Sequence, residues 1–105
     1  MSVNKVILIG NVGSDPKMQY ADKDNVFARL SLATNERIGT VDRTEWHNLV
    51  MAGRLAEQAE RFIRKGTRLY AEGRLRTRTY NDKFNIVHHI TEIYVDNFEI
   101  LGRSN

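Results

Sequence analysis

The chain has 105 residues, no cysteine, a 41% hydrophobic and 28% charged composition, and a formal net charge of +3. That length predicts one domain, and the absence of cysteine excludes a disulfide framework, a thiolate nucleophile and any Cys-based metal site, which fits a reducing compartment. No stretch approaches the roughly 18 apolar residues that a membrane-spanning helix requires, so no membrane partner is expected.

In chain order, residues 3–9 are apolar and β-branched and predict a buried first strand. NVGSDPK follows as a turn-rich stretch around the single proline, Pro16. Residues 26–36 (VFARLSLATNE) predict a second strand, a turn falls around Gly39, and residues 44–51 (TEWHNLVM) predict a third. Residues 54–66 change period: Leu55, Ala59, Phe62 and Ile63 recur at helical spacing, with Gly66 as the expected stop. Residues 68–80 predict a fourth strand bent or bulged at Gly73. NDK is a turn, and residues 84–101 form a fifth strand, interrupted near Asp96–Asn97.

The resulting order is β-β-β-α-β-β. It predicts an all-β fold with one helix, the five-stranded oligonucleotide/oligosaccharide-binding barrel (OB-fold), with the helix between strands 3 and 4 and the whole chain as a single domain. A small α+β sheet with one packed helix is the runner-up. Closure into a barrel removes the exposed edges that so many apolar strands would otherwise present. In this fold the binding surface is built from strands 2 and 3 and the loops between strands 1–2 and 4–5.

Charge is unevenly distributed. Residues 1–53 carry six basic and six acidic side chains, residues 54–83 nine and four, and residues 84–105 one and three. A basic middle third is the electrostatic footprint of a nucleic-acid binder. Within it, Arg74, Arg76, Arg78 and Tyr80 repeat at a spacing of two, which on a strand places them on one face. Their mutual repulsion must be offset by acidic neighbours such as Glu92 or Glu99, by solvent, or by an anionic ligand. Guanidinium groups hold phosphate oxygens by charge-assisted bonds, and Tyr80 adds a π-face.

Trp46 is the only tryptophan. It lies on the third strand in phase with Asn48 and Val50, where stacking on unpaired bases is the expected role. Phe84, beside the strand 4–5 loop, is a candidate to reach a base. Phe27, Phe62, Phe98, Tyr20, Tyr70 and Tyr94 are expected in the core or at an interface. His47 points away from Trp46, towards the interior or a subunit contact. His88 and His89 face opposite ways and predict no metal site. The GNVG stretch completes no phosphate loop. Asp22, Asp24, Glu36, Asp42 and Glu45 match no metal-binding spacing, and no nucleophile lies beside a base. No enzyme and no cofactor are expected, and an OB-fold nuclease finds no support.

The segments NKVILIGNVGSDP, LSLATNE, TEWHNLV, LAEQAERFIRKGTRLYAEGRLRTRTY and ITEIYVDNFEILG together resemble the bacterial single-stranded DNA-binding protein family, collinearly and over nearly the whole chain. The resemblance implies an OB-fold, a homo-oligomer, usually a tetramer, and single-stranded DNA wrapped over Trp46 and Tyr80. It implies roles in replication, recombination and repair in the bacterial cytoplasm, at the nucleoid. Lys5, Arg54, Lys65, Arg76 and Arg78 match basic positions of the family's DNA surface, Arg74 joins them by phase alone, and His47 matches a position of subunit contact. Ile38 and Ala52 stand where stacking aromatics are common, which lowers the expected affinity per subunit or shifts its weight from stacking to charge, and Asn48 replaces a frequent basic residue. Family members usually continue into a flexible tail with an acidic tip that docks replication and repair proteins. This sequence ends at GRSN, as a truncated or a naturally short member would, so tail-mediated recruitment is not assumed, and replication and repair proteins stay as candidate partners. A primosome-type interaction module that bridges replication proteins is the alternative function.

Overall fold

The computed structural model describes residues 1–22 and 25–103. Six strands and one helix follow in the order β1 (Val6–Val12), β2 (Lys17–Asp22), β3 (Asn25–Ile38), β4 (Val41–Ala52), α1 (Arg54–Phe62), β5 (Thr67–Asn81) and β6 (Val87–Arg103). The pairing β1–β5–β6–β4–β3 returns to β1 through Asn11↔Ala33 and Val12↔Leu32, which closes a ring of five strands. All ladders in that ring are antiparallel except β4–β6, which runs parallel through Leu49↔Ile93 and Val50↔Tyr94. β2 lies outside the ring, hydrogen-bonded to the free side of β3.

Strand alternation fills the barrel. Ala28, Leu30 and Leu32 of β3, Leu49 and Met51 of β4, Leu69 and Ala71 of β5, and Ile93 and Val95 of β6 all point inward and are buried. The helix contributes Ala56 and Ala59, and Ile63 follows them into the core. Small residues on the buried helix face let it sit close against the strands, where a Leu at either position would overpack. Gly10 permits ring closure, because a Cβ there would strike the backbone carbonyl of Ala33.

Several predicted boundaries shift. The first strand starts at Val6 and runs to Val12, later at both ends than expected. Residues 17–22 form a strand that the sequence left unassigned. The helix ends at Phe62 rather than Gly66, because Ile63 turns to extended backbone and buries its side chain. Arg64 then donates from Nη1 to the carbonyls of Glu60 and Ile63, satisfying the last turn. The fifth predicted strand starts at Val87 rather than at residue 84.

Gly73 lies at a bulge, as its position suggested. The register slips between Glu72↔Asn97 and Gly73↔Val95, leaving Asp96 as the extra residue on β6. A Cβ on Gly73 would lie 2.8 Å from the Tyr94 carbonyl carbon and 2.9 Å from Val95 Cα. The expected interruption at Asp96–Asn97 is therefore this bulge within a continuous strand. Beyond it Tyr94 and Ile93 still pair with β4, but every residue of β5 from Arg74 to Asn81 is exposed.

Candidate nucleic-acid interface

Register assembles one outer face from five strands. Lys17 of β2 opposes Arg29 of β3, and Arg29 opposes Val50 of β4. Asn48 opposes Ser31 and Trp46 opposes Ala33. The parallel pair Val50↔Tyr94 carries the face onto β6, and Arg74↔Tyr94, Arg76↔Glu92, Arg78↔Ile90 and Tyr80↔His88 carry it onto β5. The predicted residues Trp46, Asn48, Arg74, Arg76, Arg78 and Tyr80 thus share one surface.

Trp46 projects from that surface with 60% of its area exposed, the opposite of a core tryptophan. Its ring lies against Gly13, where a Cβ would sit 2.5 Å from Cζ3 and 2.9 Å from Cη2. The glycine is required by this close approach. Gly13 is itself fixed, since its N–H donates to the Ser31 carbonyl at 3.0 Å.

The repulsion within the arginine row is offset in three ways. Arg74 Nη2 lies 3.4 Å from Asp96 Oδ1, the residue that the bulge displaces. Arg76 covers the Tyr94 ring with its guanidinium carbon 4.8 Å from the centroid, and among the described residues it has no carboxylate partner. Arg78 Nε donates to Glu92 Oε1 at 2.9 Å, and Arg29 Nη1 donates to Glu92 Oε2. Glu92 is only 3% exposed although it has the phase of the outer face, because the two arginines cover it. Together with Lys17, Ser14, Ser31 and Asn48 these groups line a cleft of about 330 Å³.

At the hairpin end Tyr80 stacks on His88, with centroids 5.0 Å apart and planes inclined by 16°. His88 Nε2 lies 2.8 Å from Asp82 Oδ2. The other oxygen, Oδ1, accepts from the backbone N–H groups of Phe84 and Ile86. The bond to His88 first, and then the backbone bond from Ile86, hold the Asp82 carboxyl below its ordinary value. This Asx-type turn, with Asn85 at positive φ, places Phe84 in the connection rather than on a strand, where it is exposed beside Lys83.

The remaining candidates are less closely joined to the face. Lys5 is exposed between Asn4, whose side-chain amide exchanges two hydrogen bonds with the Leu75 backbone, and Val6, which pairs with Gly73. Arg54 and Lys65 are exposed at either end of the helical segment, and neither lines the cleft. His47 is half-buried on the inward side of β4 and shares a hydrogen bond with Thr34 Oγ1 at 2.9 Å. Tyr94, expected in the core or at an interface, lies on the outer face under Arg76. Tyr20 and Phe62 are exposed rather than core, whereas Phe98 does pack on the core. Of the scattered acids, Asp24 lies outside the described residues, and no group of metal-ligating side chains converges among those described. Lys17, Arg29, Tyr94 and His88 also lie on this face, outside the set that the sequence predicts. The phase of 88, 90, 92 and 94 opposite the arginine row was the signal available for two of them.

A closed five-stranded barrel with one helix after its third ring strand, bearing a basic face with an outward tryptophan, is an OB-fold of the kind that binds nucleic acid through its strands. A solved structure described as Plasmodium falciparum SSB in complex with ssDNA superposes with a TM-score of 0.87 at 31% identity, covering 96% of this chain and 97% of that one. A single-stranded DNA-binding protein of Bacteroides thetaiotaomicron is 50% identical over 109 residues, which span 97% of this chain and 68% of the relative. Residues 3–101 match the Single-strand binding protein family, and the chain belongs to that family.

Proposed function

We propose that this protein coats single-stranded DNA with little sequence preference and protects it during replication, recombination and repair, without catalysing a reaction and without a cofactor. One observation carries this reading: the exposed Trp46 ring and the Arg74–Arg76–Arg78–Tyr80 row share a continuous outer face. Cations on that face bind phosphates and release counterions, so affinity falls as salt rises. Trp46 stacks on bases, which contributes roughly 1–3 kcal/mol per base and tolerates any sequence. Duplex DNA, with its bases already stacked and paired, has nothing to offer the ring.

The active form is a homo-oligomer, a tetramer by family resemblance. Ile7 and Ile9 on the outside of β1 are 57% and 47% exposed, next to a strand edge that pairs with β3 only at Asn11 and Val12. An apolar, unpaired edge of this kind invites a second chain. His47 is the proposed contact residue within the assembly, and the protein works at the nucleoid in the bacterial cytoplasm. Replication and repair proteins are the proposed partners.

The test is a fluorescence titration of Trp46 with oligo-dT at low and high salt, with a duplex control. Strong quenching by the single strand, weakened by salt and absent with duplex, is expected. Absence of both quenching and binding would refute the reading. Sedimentation equilibrium tests the assembly, and a monomer at micromolar concentration would refute the oligomer.

A further inference from the structure

The cleft at the centre of the face holds more positive charge than its own architecture needs. Lys17 and Arg29 stand directly opposite each other on β2 and β3, an arrangement of like charges that is destabilising in itself. Arg78 reaches the same cleft from β5, a strand that does not neighbour β3 in the sheet. The one carboxylate among the lining residues is Glu92. Three cations against one anion leave a local charge of +2, with all four groups lining the same cleft.

Glu92 does not use up its partners. It engages one N–H of each guanidinium, Nε of Arg78 and Nη1 of Arg29. A guanidinium has five such donors. The two side chains keep 43% and 38% of their surface open, and both line the cleft. A buried carboxylate that fixes two forks in convergent positions lowers the ordering cost of binding a tetrahedral anion between them. The cleft also adjoins the stacking ring. Ser14 lines it and follows Gly13, on which Trp46 rests, while Asn48 lines it two residues from Trp46 on the same face.

We infer that Lys17, Arg29 and Arg78 together seat a backbone phosphate of the bound strand beside the base stacked on Trp46, with Glu92 as the positioning residue that holds the two guanidiniums convergent. The inference rests on the single-stranded DNA reading and adds to it two contact residues, Lys17 and Arg29, and the role of Glu92. A purely structural alternative makes the Arg29–Glu92–Arg78 bridge a staple between β3 and the β5–β6 hairpin. That alternative gives Lys17 no part, since its side chain makes no ion pair with Glu92.

The experiment is the salt dependence of oligo-dT affinity, read by Trp46 quenching, for the wild type, Lys17→Gln, Arg29→Gln and the control Arg61→Gln. Arg61 lies on the helix over Phe62, away from the cleft. Lys17→Gln and Arg29→Gln are each expected to reduce the slope of log K against log salt by about 0.7–1. Quenching at saturation should not change, because the stack remains, and Arg61→Gln should keep the wild-type slope. Wild-type slopes in both cleft variants, against a salt-dependent wild type, would overturn this inference and leave the parent reading standing. Loss of slope equal to that of Arg61→Gln would overturn it as well, as a general charge effect. A wild type that shows neither quenching nor binding would overturn both readings. Should Arg29→Gln fail to fold, with Glu92 left to Arg78 alone, Lys17→Gln decides alone, since Lys17 is exposed and makes no ion pair with Glu92.

Discussion

Substituting Gly13 by alanine isolates what the loop after β1 contributes to the face. The added methyl would lie 2.5 Å from Trp46 Cζ3 and 2.9 Å from both Cη2 and Ser31 Oγ. Carbon atoms pack at about 3.5–4.0 Å, so the ring must withdraw by about 1 Å or more. The ring is 60% exposed and free to swing outward, so the change should displace it without unfolding the barrel. Displacement forfeits a stacking contribution of roughly 1–3 kcal/mol, equivalent to roughly a five- to 150-fold loss of affinity at 1.4 kcal/mol per tenfold. Two readouts are expected to move together: the emission maximum of the single tryptophan, and the affinity for a labelled oligo-dT. In a Trp46→Ala background the same glycine substitution should cost little more, because both changes remove one stack. Wild-type emission and wild-type affinity in Gly13→Ala would refute the claim that Gly13 sets the ring, whatever Trp46 itself does.

Three further outcomes are expected. Gly73→Ala forces a methyl into the backbone of Tyr94 and Val95 and should destabilise the fold by about 1–3 kcal/mol or more, seen as a lower urea midpoint at unchanged m-value. Glu92→Ala leaves Arg29 and Arg78 without their shared carboxylate; since both arginines are partly solvated, the loss should be about 1–3 kcal/mol, and a thermal midpoint equal to the wild type would contradict the bridge. Asp82 has a folded pKa depressed below its ordinary 3.8, so its contribution is complete above that value and is lost as pH falls through the lowered one; NMR titration of its carboxyl should show the depressed midpoint, and His88→Ala should move it back towards 3.8.

The order of the ring strands and helix was legible because each ring strand carries its own apolar run or alternation and the helix carries a different period. What stayed hidden depends on partners distant in sequence. β2 has only Met18 packed on the core and is a strand because β3 offers it a free edge. The helix stops early because Ile63 is claimed by the core, a tertiary demand that overrides local periodicity. Phe84 left the strand because one carboxylate, Asp82, captured two backbone N–H groups. The arginine row and Trp46 were visible from phase alone, but the parallel β4–β6 contact that merges them with Arg29 and Tyr94 is set by barrel closure. The offset of charge was half visible: Glu92 was foreseen as a partner, whereas Asp96 became one only through the bulge.

The ring is joined unevenly. β5 and β6 share fifteen register pairs, while β4–β6 and β1–β3 are each joined through only two. Opening at the two short seams would part the chain into units that stay internally hydrogen-bonded, one with β3 and β4, the other with β1, β5 and β6, and such sub-global openings set the pattern of amide exchange. Trp46 and Arg29 ride on the first unit, Arg78, Glu92 and Tyr80 on the second. A nucleic-acid strand laid over both, as proposed, would favour the shut form, and it is then expected to slow exchange at Leu49, Val50, Ile93 and Tyr94 as its free concentration rises above its dissociation constant. The ligand then acts as a suture, and the barrel is tightest while it is covered.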